Sequence, residues 1–598
     1  MARLVYPVTV FLAACVPAIA RGDDLRNAGF EEGTKGWSLH VFGAQPQVEP
    51  DTDIRHGGKQ SLRIQASEPT DTALGQEVQL APRQWYRFRG WVKTHDLDPH
   101  GARTYGTFQI QRPGGRGVIA GGINHRDDTD WTEIAIYFQA PPDGRTRIAV
   151  FFVGFGKGTG TAWFDDVSLE KVDVAKAPIT VTRAPLLESE ISPYQYGQFV
   201  EYLCDLVPAT WAEKLHDGSF EGLSPYKVAF RRETDFKEKP WYPNGAVNRA
   251  EYTLDRKDPV SGQVSQRIRV PDGAPCTVGI AQDGIAVERG KACQFSCYLR
   301  QQDVQGAVRV RLQDDDVELA ACEFLPGGAW KKYHARLTPS ATRSNARLTI
   351  EFRGPGTLWL DNASLVPEET VGGWRPDVVA ALRALKPGVI RFGGSALDDA
   401  NLGEFEWRDT VGDPDRRKPF RAWGGLQPTG PGLEELAQLC RAVGAEPLLC
   451  VRFEKRTPRD AAEQVEYLNG AADTPQGKLR VRNGHREQYG VKFWQIGNER
   501  GGAAYEARLA EFAQAMKKAD PSIKLLSSYP TAGVLRQAGE ILDYVCPHHY
   551  DIEDLTGAQN DLLALRQLIR KHAPGRPIRV GVTEWNTTGG DWGLKRAR

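Results

Sequence analysis

The chain runs to 598 residues, of which 25% are charged and 40% hydrophobic, long enough to bury several separate cores rather than one. Lysine plus arginine balances aspartate plus glutamate at 76 each, so no net field recruits a polyanion; nucleic acid is not expected as a partner, and a neutral substrate is. Fifteen tryptophans, eighteen tyrosines and 62 glycines suit strand-rich modules and aromatic binding surfaces, although such aromatics also fill cores.

Residues 1–20 carry one basic residue, Arg3, then an apolar run from Leu4 to Ile19 that closes on Ala18-Ile19-Ala20, a small-x-small cleavage pattern. This is the organisation of a signal peptide and predicts a secreted or periplasmic protein. The run is short for a membrane span, and no other segment is long and apolar enough for one. Leu12-Ala13-Ala14-Cys15 also resembles a lipoprotein signal, the less favoured reading because the apolar run continues past the cysteine. Cys276, Cys293, Cys297 and Cys322 crowd into one region, where an exported protein could pair them in ways the sequence does not assign. Cys440, Cys450 and Cys546 sit in apolar stretches and read as small core hydrophobes.

An internal repeat follows. Gly29-Phe30-Glu31, Ser61-Leu62-Arg63-Ile64, Tyr86-Arg87-Phe88, Asp130-Trp131 and Trp163-Phe164-Asp165-Asp166 have counterparts in the same order. These are Ser219-Phe220-Glu221, Ser265-Gln266-Arg267-Ile268, Cys293-Gln294-Phe295, Ala329-Trp330 and Trp359-Leu360-Asp361-Asn362. Two modules of one fold are expected, at 22–172 and 211–366, both of alternating strands broken by Gly, Pro and Asp, the pattern of a jelly-roll β-sandwich. Trp163 and Trp359 are expected to alternate into the cores, with the aspartates capping turns; Asp51, Asp53 and Asp165 are weighed as a calcium site.

Between the modules, residues 179–204 hold a linker strand and then the strand 194–200. From 367 onward strands and helices alternate. Val378, Val379, Leu382 and Leu385 space a helix ended by Pro387-Gly388, before the strand Val389-Ile390-Arg391-Phe392. Leu433, Leu436, Leu439, Cys440 and Val443 space a second, ended by Gly444 before the strand 447–451. Thr457 caps a third that stops at Asn469-Gly470, and Tyr505, Leu509, Phe512, Ala513 and Met516 mark a fourth, stopped by Asp520-Pro521. Strands at 523–527, 543–547 and 578–583 complete the series. Seven β/α units in order predict a (β/α)8 TIM-type barrel over 367–598, seeded by the strand at 194–200, with a jelly roll inserted after that strand. Arg598 lies only fourteen residues past Glu584, so the barrel is expected to be incomplete after strand seven.

Two segments carry the chemistry. Phe493-Trp494-Gln495-Ile496-Gly497-Asn498-Glu499 and Val580-Gly581-Val582-Thr583-Glu584-Trp585-Asn586 each run an apolar strand into a carboxylate beside a carboxamide, which is how a buried parallel strand presents an acid at its C-terminal end. Cleaving an acetal needs a proton for the departing oxygen and a nucleophile or negative charge at the sugar carbon, and two carboxyls in different protonation states supply both. Glu499 and Glu584 are the catalytic candidates, and Asn498 can bond the sugar hydroxyl next to the reacting carbon. His548 and His549 read as hydrogen-bonded histidines rather than metal ligands, since no third ligand lies at zinc spacing. No metal and no cofactor are expected. Trp494, Trp585 and Trp592 are candidates for stacking on sugar.

On these residues, 179–204 and 367–598 resemble glycoside hydrolase family 51, whose best-known members are α-L-arabinofuranosidases. Gly197-Gln198-Phe199-Val200-Glu201 is similar to the family's first-strand motif, Trp407–Gly412 with Asp415–Pro419 to its loop after strand two, and Pro547-His548-His549-Tyr550 to its strand-six motif. The resemblance implies that Glu499 is acid/base and Glu584 nucleophile, that Glu201 holds sugar hydroxyls, and that His548, Tyr550 and Trp585 line the sugar site. The modules at 22–172 and 211–366 resemble jelly-roll carbohydrate-binding modules. The family's Arg-x-Pro-Gly-Gly-Asn stands here as Arg391-Phe392-Gly393-Gly394-Ser395, which makes Ser395 a weak candidate for a ligand. The expected function is release of terminal α-L-arabinofuranosyl groups from plant cell-wall polysaccharide or arabino-oligosaccharides. The alternatives are an endo-acting glycanase on the same barrel and a non-catalytic carbohydrate-binding protein. Linkage preference and oligomeric state stay open.

Overall fold

The structure, a computed structural model, describes residues 11–12, 25–100, 102–115, 117–173, 179–180, 191–202, 206–221, 240–398, 403–422, 425–427, 430–550 and 555–586. Most of the expected signal peptide, Cys15 among it, and Trp592 lie outside the described residues. Two compact units are present. One is Met1–Glu190 with His549–Gln567 and Asn586–Arg598, and the other is Ile191–His548 with Leu568–Trp585. Among the described residues no helix is long and apolar enough to cross a membrane, and the described cysteines are free thiols.

In the first unit, the strands Ser61–Gln79 and Arg145–Lys171 pair antiparallel along most of their length, with register shifts between Ala66 and Ala73. Each long strand therefore serves two layers. One layer adds Gln47–Asp51, Trp85–Asp98 and Asp127–Gln139, and the other adds Ser38–Gly43, Thr104–Gln111 and Val118–Gly121. Period-two alternation sends Leu62, Leu74, Phe88, Phe108, Phe152 and Phe164 into the shared core.

The second unit contains a sandwich of the same strand order. One sheet runs Tyr242–Gly245, Cys276–Val287, Arg343–Gly354, Val308–Asp314, Val317–Phe324; the other runs Glu251–Asp255, Ser265–Val270, Gly356–Pro367, Cys293–Gln302, Lys331–Leu337. What is one long strand in the first module is two consecutive strands here. The repeat read in the sequence is thus a repeat of topology. The repeated tryptophans, however, do not enter the cores. Ala162 and Phe164 take the core positions around Trp163, and Leu358 and Leu360 those around Trp359, so each tryptophan lies on the sheet face opposite the core, Trp163 still buried there at 6% exposed and Trp359 half-buried. Their indole N–H groups donate to Asp51 at 2.9 Å and Asp255 at 2.7 Å. Asp51 also accepts from the backbone of Asp53 and Ile54, and Asp165 from the backbone of His56, Gly57 and Asp166. The calcium site weighed for Asp51, Asp53 and Asp165 does not form: their ligand atoms are not brought together, and Asp51 and Asp165 instead cap turns through backbone N–H groups.

The other part of the second unit is a parallel sheet of seven strands in chain order: β1 (Gly197–Glu201), β2 (Val389–Gly393), β3 (Glu446–Val451), β4 (Phe493–Ile496), β5 (Lys524–Leu526), β6 (Tyr544–Val545) and β7 (Arg579–Val580). The second sandwich is inserted between β1 and β2. The predicted helices are present at Pro376–Leu385, Leu433–Val443, Pro458–Asn469 and Ala503–Ala519. Gly444 ends the second in a left-handed conformation with φ 86°, and Thr457 and Asp460 cap the third reciprocally. The buried runs of β2 to β5 pack against these helices in one core with Trp374, Trp407, Leu436, Leu468, Trp494 and Phe512.

The loop after β2, singled out for its resemblance, ties the parts of this unit together. Asp415 accepts from Tyr298 at 3.1 Å and pairs with Lys332, both on the sandwich, while Arg416 donates to the Val260 carbonyl at 2.8 Å. Arg417, with a side chain 1% exposed, turns the other way and makes a two-pronged pair with Glu435 at 2.8 and 3.0 Å, plus bonds to the carbonyls of Gly412 and Gly430. Removing one partner of such a buried pair strands the other charge. Arg417→Ala is expected to destabilise the second unit by about 3–5 kcal/mol, read as a lowered urea midpoint; an unchanged midpoint contradicts this account of the loop.

Candidate active site

The C-terminal ends of the parallel strands bring together residues that lie far apart in sequence. Glu201 is the last residue of β1, Asn498 and Glu499 follow β4, Tyr529 follows β5, His548 follows β6 and Glu584 follows β7. The predicted strands 543–547 and 578–583 both break before their ends, and the chain resumes as His548–Tyr550 and Glu584–Asn586, which pair with each other. After β4 the backbone leaves the sheet through two left-handed residues, Gly497 at φ 77° and Glu499 at φ 48°. A glutamate in that region costs on the order of 1–3 kcal/mol, a cost typical of functional turns.

Glu499, His548 and Glu584 each offer one ligand atom, and the three atoms lie within 4.8 Å of one another. His548 Nδ1 bonds Glu499 Oε1 at 3.0 Å and lies 3.4 Å from Glu584 Oε2, so one imidazole nitrogen stands between the two carboxylates with its hydrogen bond on Glu499. The set has the spacing to hold a cation, but a positive charge is already built in. Buried Arg391 of β2 donates to Glu584 at 3.1 Å, to the Asn498 carbonyl oxygen at 2.6 Å and to Gln495 at 3.0 Å, with its guanidinium 4.3 Å from the centroid of the Phe199 ring. Glu201 accepts from the Ser395 backbone N–H at 2.8 Å. Gly394, at φ 71°, has no side chain to block it; a Cβ there would collide with the Glu201 carboxylate. Ser395 thus supports Glu201 through its backbone.

The electrostatics differ among the carboxyls. The hydrogen bond from His548 holds Glu499 below its ordinary range, against the opposing effect of burial, with Tyr529 and Arg391 adding to the fall. Burial pushes Glu201 up, the Ser395 N–H counters it, and the charge of Glu584 adds to the rise. Tyr529, pushed up to about 12 chiefly by burial and then by Glu499, packs edge-on to His548 with ring centroids 5.6 Å apart.

Of the expected site residues, Glu201, Asn498, Glu499, His548 and Glu584 converge. Trp585 is next to the cluster in sequence and 58% exposed, while the side chain of Tyr550 lies outside the described residues. Trp494 is fully buried with its indole N–H on the Val491 carbonyl, a core residue. Arg391, Gln495 and Tyr529 were assigned no role from sequence. The available signal was a charged residue at the centre of the apolar run Val389-Ile390-Arg391-Phe392. A separate cavity of about 1210 Å³ lies between the second sandwich and the helix Pro376–Leu385. Its half-buried Glu213 is committed to Ser364 and to the backbone of Leu215 and Leu365, which makes it a poor rival site.

Residues 381–563 match the family model described as alpha-L-arabinofuranosidase 1 domain, and residues 214–358 match a carbohydrate binding domain. The chain resembles the family 51 α-L-arabinofuranosidases. Alpha-L-arabinofuranosidase C of Emericella nidulans is 36% identical over 171 residues, covering 27% of this chain and 33% of that protein. Alpha-L-arabinofuranosidase 1 of Arabidopsis thaliana is 27% identical over 335 residues, 52% of this chain and 48% of its own. Among solved structures, α-L-arabinofuranosidase from Thermotoga maritima in complex with arabinose aligns with 36% of this chain and 49% of its own, at 27% identity and a TM-score of 0.34. The chain spans a third to a half of the curated relatives it matches.

Since the bond from His548 is the largest influence lowering Glu499, removing it must raise that carboxyl. His548→Ala is expected to move the Glu499 titration to higher pH, measured by carbon-13 NMR of the labelled side-chain carboxyl against a Glu499→Gln reference. A titration that stays put or falls contradicts this geometry.

Proposed function

We propose that the chain is a retaining glycosidase that removes terminal non-reducing α-L-arabinofuranosyl groups from arabinose-bearing plant polysaccharides or their oligosaccharides. The observation that carries this reading is the 4.8 Å limit on the separation of ligand atoms from Glu499 and Glu584. That is a spacing of single oxygens rather than of whole carboxyl groups, and it fits the about 5–5.5 Å carboxyl separation of retaining enzymes better than the roughly 6.5–9.5 Å with which inverting enzymes admit a water. The similarity of residues 381–563 to the arabinofuranosidase domain supplies the sugar.

In this reading Glu584, oriented by Arg391, attacks the anomeric carbon while Glu499 protonates the departing oxygen. In the second half-reaction Glu499 takes the proton of the water that releases the sugar. Arg391 also locks the Asn498 carbonyl oxygen, which leaves the amide of that side chain to donate to the hydroxyl beside the reacting carbon, a bond that strengthens as positive charge develops. Glu201 and His548 hold other hydroxyls, and exposed Trp585 offers an apolar face to the leaving group; Tyr550 belongs to the sugar site by the family resemblance alone. Sugar binding expels water, and that desolvation lifts Glu499 from its low free-state value towards what an acid needs.

The same proposal takes 1–20 as an export signal to a secreted or periplasmic location, 22–172 and 211–366 as jelly rolls of the carbohydrate-binding-module type, and the seven parallel strands of 179–204 and 367–598 as the greater part of a (β/α)8 barrel. The intact chain is expected to hydrolyse nitrophenyl α-L-arabinofuranoside and, with methanol as acceptor, to give first the methyl glycoside of retained configuration by proton NMR. Glu584→Ala is expected to lose roughly 10⁴-fold or more in kcat. An inverted first product, or turnover unchanged in Glu584→Ala, sinks the assignment.

A further inference from the structure

The shared topology of the two sandwiches allows position-by-position comparison of their outer faces, and the faces differ. In the first module Gly75 pairs with Ala149, which pairs with Gln109; Arg147 pairs with Gln111, and Ser38 with Gly75. In the second, Gly279 pairs with Glu351, which pairs with Arg309; Thr349 pairs with Arg311, and Asn244 with Gly279. Ala149 is therefore replaced by Glu351, Gln111 by Arg311, Ser38 by Asn244 and Phe151 by Arg353.

In the second module this floor is closed. Glu351, 7% exposed, accepts from Arg311 at 2.8 and 2.9 Å and from Asn244 at 2.6 Å, so a buried ion pair occupies the surface. In the first module the corresponding floor is made of small residues, and a cavity of about 560 Å³ lies over it, a size usual for small-molecule sites. Ala73 and Ala149 pack with Phe151 in an apolar patch apart from the main core, and Phe155, 55% exposed, stacks on Phe151 at 5.9 Å. Phe155 holds a left-handed φ of 55°, strain of the kind found at ligand clamps. Beside this apolar strip runs a ladder of buried polar side chains: Arg147 donates to Gln111, Gln111 to Gln109 at 3.0 Å, and Gln109 to Thr104 at 3.0 Å. Gly75 makes room for it, since a Cβ there would collide with the Arg147 guanidinium.

From this contrast we infer that the outer face of the first sandwich, over Ala73, Gly75 and Phe151, is a binding site for a neutral saccharide chain, and that the second sandwich has lost the equivalent site. Phenyl faces meet the C–H faces of sugar rings, while side-chain amides and a guanidinium match hydroxyls as donors and acceptors. The charged lining residues, Arg26 and Arg147 against Asp71 and Glu77, balance, which fits an uncharged ligand. The inference runs against the domain match, which falls on the second sandwich at 214–358. That the chain in question bears arabinose rests on the proposed catalytic function; the groove does not.

The test is affinity electrophoresis of the intact protein through gels containing soluble wheat arabinoxylan or sugar-beet arabinan. Retardation is expected in at least one, weakened roughly tenfold in Phe155→Ala, whose exposed ring can be removed without opening the core, and in Gln111→Ala. Arg353→Ala and Glu351→Ala, in the second sandwich, are expected to run like the unmodified protein. No retardation in either gel, full retardation of both first-module variants, or loss of it in the second-module variants would overturn the inference. Failure of the catalytic proposal is separate, since it appears as no turnover of the nitrophenyl arabinofuranoside by the unmodified chain.

Discussion

One buried guanidinium organises the C-terminal end of the parallel sheet. Arg391 reaches from β2 to β4 through Gln495 and Asn498, and past β7 to Glu584. A cation removed from water must be paired and hydrogen-bonded, or its desolvation cost falls on the fold. Here the partners that satisfy it are the groups whose positions matter to the chemistry. Its planar fork fixes three side chains from two other segments of the chain, which a lysine with its single point charge could not do. Phe199 closes the other side of the guanidinium plane. The convergence of residues 391, 498 and 584 is thus one electrostatic constraint, and Glu201 and His548 are arranged around it.

How much of this could be read from sequence depended on whether a residue's signal was local. Helices with an apolar stripe and a capping or left-handed stop were legible: Thr457 with Asp460 begins one helix and Gly444 ends another where the pattern put them. The helix Pro475–Arg482 has no such stripe, and only Gly477 and Arg480 of it are buried. Arg480 holds it by donating to the carbonyls of Tyr467, Gly470 and Arg486, a tertiary arrangement with no trace in periodicity. The two glutamates were legible because each ends an apolar run beside a carboxamide. Arg391 and Tyr529 were not assigned because their roles are defined by partners more than a hundred residues away in the first case and by an adjacent strand end in the second.

The misreading of Trp163 and Trp359 has the same origin. Alternation fixes that neighbouring residues face opposite ways, but not which set faces in. Ala162 and Phe164, and likewise Leu358 and Leu360, took the cores, and the tryptophans were left to cover the outside while bonding Asp51 and Asp255. Preserving these bonds in both modules while the opposite sheets diverged is the behaviour expected if one face is architectural and the other is free to change. In the second module that face carries an ion-pair network, and the loop through Asp415 fastens the sandwich to the part of the unit that holds the parallel sheet.

The proton balance of the site follows from the same geometry. His548 sits between the two carboxylates, and its bond lowers Glu499, whereas burial raises Glu201. Glu499 is therefore poised to be ionised; on the proposed mechanism that is the form that accepts a proton from water in the second half-reaction, and the carboxyl gains its proton as the sugar and leaving group displace solvent. A group whose folded pKa is depressed is protonated only below the ordinary carboxylate range unless the bound ligand reverses the shift. On the proposed mechanism, His548 sets a balance: stronger contact with Glu499 favours release of the sugar, and weaker contact favours protonation of the leaving group.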